Sequence, residues 1–249
     1  MNYKLLALDI DETITTEGSH VPSKKVLDAL HKAAEKLAIT FVTARSKEYF
    51  KAFLSNITIP PGYHVVENGS KILNPDGSNA YDLHIPDSEI QEILNVAEPY
   101  FLETGFLSDN NWDDDGDINE FDGIISGLSF TCTTHENAHL LEQAVQELPH
   151  EYAFYIGKHW LNPEWLAALL FHKDATKGNG MRYIQEKLNI SVAETIAIGD
   201  GATDITMFAA AGLKIAMDNG EESLKAAADY VCPPISEDGL AIAIEKYIL

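Results

Sequence analysis

Cysteine and basic residues are scarce in this chain of 249 residues. Its two cysteines, Cys132 and Cys232, form no CxxC pair, so we expect neither a disulfide framework nor a zinc cluster. Lysine and arginine number 17 against 39 acidic residues, which gives a formal net charge of −22 at pH 7. This imbalance argues against nucleic acid or an anionic membrane as a partner bound through a broad basic surface.

Long hydrophobic runs are also missing. No apolar run reaches the roughly 20 residues that a membrane-spanning helix needs. The N-terminal apolar run stops at Asp9 and is too short for a secretory signal. We therefore expect a cytoplasmic protein without a membrane partner, and the composition leaves its oligomeric state open. The chain does have 45% hydrophobic residues, which is enough for a sizeable core.

Strand and helix patterns alternate near both ends of the chain. Apolar segments that indicate strands cover residues 5–10, 38–44, 64–68, 194–200, 213–217 and 230–233. Helical periodicity covers residues 22–37, 47–55, 176–188, 203–211, 221–228 and 238–247. Strands separated by helices of this length favour a parallel sheet with helices on both faces. The predicted class is α/β, with a Rossmann-like doubly wound parallel sheet as the core.

The middle of the chain has a different pattern. It predicts helices over residues 87–102 and 135–148, and strands over residues 127–133, 152–157 and near 159–162. This pattern is typical of a small α+β unit inserted into an α/β domain. We expect a core formed by residues 1–83 and 173–249, and an inserted unit formed by residues 84–172.

Polar side chains stand where the predicted parallel strands end. The strand ends carry Asp9 and Asp11, Thr43 and Arg45, Glu67 and Asn68, and Asp200 followed by Asp204, while Lys177 begins the helix before the last of these strands. Open parallel sheets bind ligands at the carboxyl ends of their strands. We therefore expect these side chains to converge on one edge of the sheet.

This set of side chains is suited to phosphoryl transfer. Asp9, Asp11 and Asp200 offer oxygen ligands, which magnesium prefers, and a divalent cation would offset their mutual repulsion. A carboxylate can attack phosphorus and form an aspartyl-phosphate, and a neighbouring carboxylate can protonate the leaving group and then activate water. Thr43 and Lys177 would bind a phosphoryl oxygen and balance its charge.

The same residues resemble the motifs of a known family. DIDET is similar to a DxDxT motif, Thr43 ends the second strand, Lys177 follows, and GDGATD is similar to a GD-x3-D motif. In this order they resemble the haloacid dehalogenase (HAD) superfamily of phosphohydrolases. The insert resembles the α+β cap of its Cof-like sugar-phosphatase branch, in which ENGSKI and TAR would correspond to the NGA-type turn and the TGR segment.

The resemblance implies a role for each matching acid. Asp9 would be the nucleophile and Asp11 the general acid and base. Mg²⁺ would be bound by the side chains of Asp9 and Asp200 and by the backbone carbonyl of Asp11. Asp204 would support this metal site, directly or through water.

Two further matching residues and two departures complete the comparison with the family pattern. Thr43 and Lys177 are implied to hold the phosphoryl group. Glu12 stands where the branch most often has glycine, which adds an acid beside the site. Thr203 stands where the branch has asparagine. Any contact that the asparagine side-chain amide would make with the substrate or the loop is therefore in question here.

Three residues outside these primary roles are candidates for substrate contact. Asn68 lies in the turn after the third strand, and Arg45 either contacts phosphate or pairs with Glu48. Lys158 belongs to the basic and aromatic segment 158–160, which lies at a predicted turn between strands of the insert. This segment either faces the substrate or forms an exposed hairpin.

The acidic segment 111–122 nearly matches a calcium-binding loop. Asn111, Asp113, Asp115, Gly116, Asp117 and Asp122 stand at positions 1, 3, 5, 6, 7 and 12 of the pattern. However, aspartate at position 12 is a short arm for bidentate binding, and the segment is followed by a predicted strand rather than by a helix. A solvated acidic loop is the alternative to a calcium site.

The sequence therefore predicts a magnesium-dependent phosphatase that acts on a small phosphorylated metabolite, such as a sugar phosphate or a phosphoglycolate-like ester. A phosphotransferase or phosphomutase of the same superfamily would use the same residues. A non-enzymatic phosphoacceptor domain would also combine acids, threonine and lysine, but it would lack the large insert.

Overall fold

The computed structural model describes residues 3–16, 18–108, 112–113, 118, 121, 123–159, 162 and 164–249. Its strands are β1 (Leu5–Leu8), β2 (Ala38–Phe41), β3 (His64–Val66), β4 (Lys71–Leu73), β5 (Asn79–Asp82), β6 (Glu103–Ser108), β7 (Trp112–Asp113), β8 (Ile125–Cys132), β9 (Tyr152–Lys158), β10 (Leu166–His172), β11 (Thr195–Gly199), β12 (Leu213–Met217) and β13 (Tyr230–Cys232). Its helices are α1 (Lys24–Ala34), α2 (Lys47–Leu54), α3 (Asp87–Ala97), α4 (His135–Gln146), α5 (Lys177–Leu188), α6 (Ile205–Phe208), α7 (Glu222–Ala227) and α8 (Gly239–Tyr247).

The core is a parallel sheet with the strand order β13-β12-β11-β1-β2. A parallel bridge between Val42 and Val65 places β3 beside β2. Alternate residues of β1 face opposite layers, as the two-residue period of a strand requires. Leu6 and Leu8 pack with α1 and α8, whereas Leu5 and Ala7 pack with α5 and α6. The predicted Rossmann-like α/β core, covered on both faces, is thus confirmed.

The cap is an antiparallel sheet with the order β7-β6-β8-β10-β9. Its helices α3 and α4 bury Ile93, Leu141 and Val145 against one face of this sheet. The chain enters the cap through the small antiparallel sheet β3-β4-β5 and leaves it between β10 and α5. An inserted α+β unit is therefore confirmed as the second part of the fold.

Some predicted elements in the cap differ from the structure. The helix predicted over 87–102 ends at Ala97, because Pro99 has no backbone N–H with which to continue the helical hydrogen bonds. The strand predicted near 159–162 is wrong, since His159 and Asn162 are not in a strand and β10 begins only at Leu166. The core helix predicted over 203–211 is shorter, because a 3₁₀ turn precedes α6.

Within the described ranges, no helix is both long and apolar enough to span a bilayer. The expected cytoplasmic location stays a prediction.

Candidate active site

The polar ends of β1, β2 and β11 meet at the carboxyl edge of the parallel sheet. The backbone N–H of Asp9 donates to the carbonyl oxygen of Ile198 in β11. The Thr13 hydroxyl, in the loop after β1, donates to Asp200 Oδ1 at 3.0 Å. The expected convergence at this edge therefore brings Asp9 and Asp200 into one site, although they are far apart in the sequence.

Lys177 is the cation at the centre of this site. Its ammonium group donates to Asp9 Oδ1 at 2.7 Å and to Asp204 Oδ1 at 2.6 Å. The Lys177 side chain is only 3% exposed, and Thr176 caps the N-terminus of α5 by accepting a hydrogen bond from the Asn179 N–H. The helix start thus fixes the lysine against two carboxylates, as charge balance in a buried site requires.

The carboxylates outnumber this lysine. Each of Asp9, Asp200 and Asp204 offers an oxygen, and these oxygens all lie within 4.8 Å of one another. Burial, opposed by Lys177 and assisted by the charges of Asp204 and Asp11, raises the pKa of Asp9 to about 7. Burial and the charges of Asp9 and Asp204 raise the pKa of Asp200 well above its usual value.

The pKa of Lys177 shifts in the opposite sense to that of a lysine buried alone. Burial by itself would lower it, but the Asp204 and Asp9 carboxylates raise it above the ordinary value. Lys177 is therefore a permanent positive charge at neutral pH. Its single charge faces three carboxylates, so the cluster keeps an excess of negative charge when those acids are ionised.

Asp204 organises the loop that follows β11. Its Oδ2 accepts the backbone N–H groups of Asp200 at 2.9 Å and Gly201 at 3.0 Å. A Cβ atom on Gly199 would lie 2.4 Å from the same oxygen. Glycine at this position therefore allows the carboxylate to reach the backbone and to hold the loop that presents Asp200.

Asp11 is held by Arg45 rather than by the lysine. The guanidinium donates from Nε to Asp11 Oδ2 at 2.8 Å and from a terminal nitrogen to Oδ1 at 2.6 Å. This is the bidentate geometry that makes arginine–carboxylate pairs directional. The predicted alternative of an Arg45–Glu48 pair is not seen, since Glu48 pairs with Lys51.

Thr43 lies at the end of β2 and is buried. Its Oγ1 accepts the Arg45 N–H at 3.1 Å, and its carbonyl oxygen accepts the Asn68 N–H at 3.0 Å. The hydroxyl hydrogen of Thr43 is therefore available to donate to a ligand oxygen. These contacts tie the end of β2 to the turn after β3.

That turn has an unusual backbone. Glu67, Asn68 and Gly69 have φ angles of 53°, 55° and 104° in succession. A Cβ atom on Gly69 would lie 2.4 Å from the carbonyl oxygen of Thr176, so the turn packs tightly on the start of α5. The buried Asn68 side chain donates from Nδ2 to the Ala175 carbonyl oxygen at 3.5 Å, just before the start of α5. Such backbone strain persists only where the surroundings fix it.

The cap brings residues of β9 to the same edge of the core. The Tyr155 phenol lies close enough to Asn68, Thr206 and Lys177 for these groups to lower its pKa. Burial has the larger effect, so the pKa of Tyr155 is raised overall. Lys158 is exposed at the end of β9 and lies near Glu221. Burial raises the pKa of Glu221, and the charge of Lys158 opposes this rise in part. Lys158 therefore lies where the cap meets the core.

The rest of the predicted segment 158–160 has other contacts. His159 is buried, and its Nε2 lies 3.2 Å from Thr131 Oγ1. Trp160 lies outside the described residues. Of the two described residues of this segment, Lys158 lies where the cap meets the core, and its role as a substrate contact stays a prediction.

The two departures from the family pattern lie next to the site. Glu12 has a left-handed φ of 55°, a conformation that glycine adopts without strain, which is a physical reason for glycine there. The Glu12 carbonyl accepts the Asn219 side-chain N–H at 2.9 Å. The Thr203 carbonyl accepts the Thr206 hydroxyl at 3.1 Å.

Most of the acidic segment 111–122 lies outside the described residues. Strands β6 and β8 flank it, so the helices that border an EF-hand loop are not found there. Calcium binding by this segment stays a prediction.

Sequence reasoning assigned no role to three residues at the site: Thr13, Tyr155 and Glu221. Thr13 occupies the last position of DIDET, two residues after Asp11, so the motif itself pointed to it. No sequence signal distinguished Tyr155 from the other aromatic residues of β9, or Glu221 from the other surface acids.

Comparison with known proteins agrees with this geometry. The family model of haloacid dehalogenase-like hydrolases matches residues 6–121 and 113–244. A phosphoglycolate phosphatase of Methanobrevibacter smithii is 29% identical over all of both chains. The putative phosphatase YxeH of Bacillus subtilis is 23% identical over 99% of both chains.

Solved structures share the fold. The phosphatase BT1666 of Bacteroides thetaiotaomicron superposes with a TM-score of 0.80 at 23% identity, over 98% of this chain and 94% of its own. The HAD subclass IIB sugar phosphatase BT4131 superposes with a TM-score of 0.76 at 24% identity, over 98% of both chains. The predicted resemblance to the Cof-like branch is confirmed, and the chain belongs to the haloacid dehalogenase-like hydrolase family.

Proposed function

We propose that the protein is a magnesium-dependent phosphatase that hydrolyses a small phosphorylated metabolite through an aspartyl-phosphate. The observation that carries the proposal is the position of Asp9, which lies 2.7 Å from the Lys177 ammonium and shares a cluster with Asp200 and Asp204. Relatives named phosphoglycolate phosphatase and a structural neighbour named sugar phosphatase support these two ester classes as candidate substrates.

The donor set fits a magnesium ion. Asp9, Asp200 and Asp204 supply only carboxylate oxygens, and hard oxygen ligands are those that Mg²⁺ prefers. Burial, together with the charges of the neighbouring carboxylates, raises the pKa values of Asp9 and Asp200, and a cation bound at the cluster would oppose this rise. Asp9, Asp200 and the Asp11 carbonyl would hold the ion, with Asp204 in support, and the bound ion would neutralise charge on the phosphoryl oxygens.

The chain's own residues account for the first half of the reaction. A carboxylate oxygen of Asp9 attacks phosphorus, and the bond between phosphorus and the ester oxygen breaks. Asp11 gives a proton to the departing oxygen, so an alcohol leaves. Lys177 and the Thr43 hydroxyl hold the phosphoryl oxygens through charge-assisted hydrogen bonds.

The second half releases phosphate. Asp11, now a carboxylate, takes a proton from water, and the water oxygen attacks the phosphorus of the aspartyl-phosphate. The bond between phosphorus and the Asp9 oxygen breaks, which regenerates the carboxylate and frees inorganic phosphate. In the structure both Asp11 oxygens accept hydrogen bonds from Arg45, which is the pairing of an ionised carboxylate. Asp11 must therefore exchange one of these hydrogen bonds for the ester oxygen or the water with which it transfers a proton.

We further propose that the catalytic core comprises residues 1–83 and 173–249, and that residues 84–172 form the cap. The end of β5 at Asp82, the start of α3 at Asp87 and the end of β10 at His172 support these boundaries. A cap that covers the site restricts access, which favours small substrates over phosphorylated proteins.

A panel of phosphate esters, including p-nitrophenyl phosphate, tests the proposal. Phosphate release is measured for the wild type with Mg²⁺, for the wild type with EDTA, and for Asp9→Asn with Mg²⁺. We expect EDTA to abolish release and Asp9→Asn to reduce it by at least roughly 1,000-fold, as for loss of a nucleophile. Asp28→Asn, which removes an exposed acid paired with Lys24, is the matched control and should retain activity.

Each contrary outcome has a defined meaning. Undiminished release in EDTA would contradict a metal-dependent reaction. Undiminished release by Asp9→Asn would contradict the nucleophile assignment. Phosphate found on an added sugar instead of in solution would indicate a phosphotransferase, and no turnover by folded protein would favour a non-enzymatic phosphoacceptor.

A further inference from the structure

Strand β9 of the cap presents two different faces. Tyr152, Phe154 and Ile156 pack into the cap core with α3 and α4. Ala153 and Tyr155 face the opposite way and pack with Phe171 and Ala175. Since successive side chains of a strand alternate, Gly157 shares the second face. A Cβ atom on Gly157 would lie 3.5 Å from Glu221 Oε1 of the core, so this face of β9 lies against the active-site edge.

Tyr155 is the polar side chain on that face of β9. Its hydroxyl lies beside the Asn68 and Thr206 side chains and within the field of Lys177. Burial raises the pKa of the phenol, so the hydroxyl keeps its proton at neutral pH and can donate a hydrogen bond. The ring is fixed by an edge contact with Phe171, with ring centroids 6.5 Å apart.

Asn68 supplies an acceptor next to this donor. Its side chain is fully buried, and its Nδ2 donates to the Ala175 carbonyl oxygen at 3.5 Å. The carbonyl fixes the orientation of the amide, because a flipped amide would set two acceptors against each other. Asn68 Oδ1 then has no hydrogen-bond partner among the described residues, which is unfavourable unless a ligand donates to it.

The charges around this donor and acceptor favour a neutral group. Lys177 and Arg45 are already paired with carboxylates, and Lys158 lies near Glu221. A carboxylate on the leaving part of the substrate would have no proton to give to Asn68 Oδ1. A hydroxyl group can accept from Tyr155 and donate to Asn68 at the same time.

We propose that the Tyr155 hydroxyl and the Asn68 side-chain oxygen bind a hydroxyl group on the alcohol part of the phosphate ester. Polyol and sugar phosphates are then the preferred substrate class, and Tyr155 is a residue that determines specificity. This inference rests on the proposed phosphatase activity and selects between its two candidate ester classes.

The test compares kcat/KM for glycerol 1-phosphate, n-propyl phosphate and 2-phosphoglycolate, with p-nitrophenyl phosphate as a generic ester. Glycerol 1-phosphate and n-propyl phosphate have the same carbon chain and differ in their hydroxyl groups. We expect wild-type protein to prefer glycerol 1-phosphate over both other metabolite-like esters. Tyr155→Phe keeps the ring and should reduce the preference over n-propyl phosphate by roughly 3- to 10-fold, mainly through KM, as for loss of one neutral hydrogen bond.

Tyr152→Phe is the matched control. It removes a hydroxyl from the opposite face of the same strand, where Tyr152 donates to Glu89 at 2.7 Å. The ratio between glycerol 1-phosphate and n-propyl phosphate should stay at its wild-type value in this variant. A general loosening of the cap would instead change all esters alike in both variants.

The outcomes separate this inference from the proposed function. No hydrolysis of any ester by the wild type would overturn the phosphatase itself. Hydrolysis with equal kcat/KM for glycerol 1-phosphate and n-propyl phosphate, or with a preference for 2-phosphoglycolate, would overturn hydroxyl recognition only. A preference for glycerol 1-phosphate that survives Tyr155→Phe unchanged would overturn the role of Tyr155.

Discussion

Two buried lysines of this protein stand in different surroundings. Lys177, at the active-site edge, contacts Asp9 and Asp204 at 2.7 and 2.6 Å. Lys71, at the junction of core and cap, contacts both carboxylate oxygens of Glu67 at 3.0 and 3.3 Å. Their side chains are 3% and 2% exposed, so burial does not distinguish them.

The difference lies in the balance of charge. Among the described residues, Lys71 contacts one carboxylate, that of Glu67, and the Ser126 hydroxyl and the Lys47 N–H also donate to this carboxylate. The lysine at the active site faces two contacting carboxylates and a third nearby, Asp200. The active-site cluster therefore has more carboxylates than cations among the described residues, an imbalance that is common at functional sites and supports the proposed metal site.

The pair of Glu67 and Lys71 also joins the two parts of the fold. Ser126 lies in strand β8 of the cap, and its carbonyl accepts the Ser70 hydroxyl of the core at 3.1 Å. Glu67 directly precedes Asn68 in the strained turn. The Glu67–Lys71 pair, which we call the seam pair, thus holds the turn and the cap in a fixed relation to the active site.

Lys71→Met should have the largest effect on stability. It leaves Glu67 buried without its cation, and breaking one partner of such a pair costs about 3–5 kcal/mol of the free energy of unfolding. Urea unfolding of the variant and the wild type measures this cost. The cost should be the same in EDTA and in Mg²⁺, because the seam pair takes no part in metal binding.

A double variant controls for damage unrelated to charge. Lys71→Met with Glu67→Gln removes both charges, and replacement of a whole buried pair is often close to neutral. We expect the double variant to recover most of the lost stability. A double variant as unstable as the single one would show that the packing of Lys71, rather than its charge, holds the seam.

Asp9→Asn should change stability in the opposite direction. In EDTA it removes one of the crowded carboxylates and leaves Lys177 paired with Asp204. We expect the free energy of unfolding to rise by about 1–2 kcal/mol at neutral pH, the scale of one relieved like-charge contact in a partly screened site. Urea unfolding in EDTA measures this gain, and a loss of stability would contradict an excess of negative charge.

Magnesium provides the control for this second effect. An ion that binds only the folded state stabilises the wild type in proportion to the logarithm of its concentration. Asp9→Asn lacks one ligand and should gain less stability from the same Mg²⁺ titration. Equal gains in both proteins would place the bound ion elsewhere.

The parallel core could be predicted from sequence because its strands are short, buried and separated by amphipathic helices. The strand predicted over residues 5–10 is β1 of the structure, and the helix predicted over 176–188 is α5. Strand β10 was missed because LAALLFH is a continuous apolar run, which periodicity alone does not assign to a strand or a helix.

Parts of the site depend on contacts that no local pattern encodes. Asp9, Asp200 and Lys177 were found because each stands at a strand end or a helix start. The pairing of Arg45 with Asp11 joins residues 34 positions apart, whereas Glu48 was the nearer partner in the sequence. Tyr155 depends on which face of β9 meets the core, and YAFYIG has aromatic residues on both faces.

Two glutamates with the same left-handed φ test the comparison between the active site and the seam pair, with the smallest expected change in stability. Glu12, beside the active site, and Glu67, in the seam pair, have φ angles of 55° and 53°. Glycine relieves the left-handed strain at either position, so Glu12→Gly should raise the free energy of unfolding by about 0.5–1 kcal/mol, after the entropy lost by glycine. Glu67→Gly should lower it, because the buried Lys71 then loses its contact with the Glu67 carboxylate. Urea unfolding of both variants measures the two signs, and a gain in stability for Glu67→Gly would mean that the seam pair does not stabilise the fold.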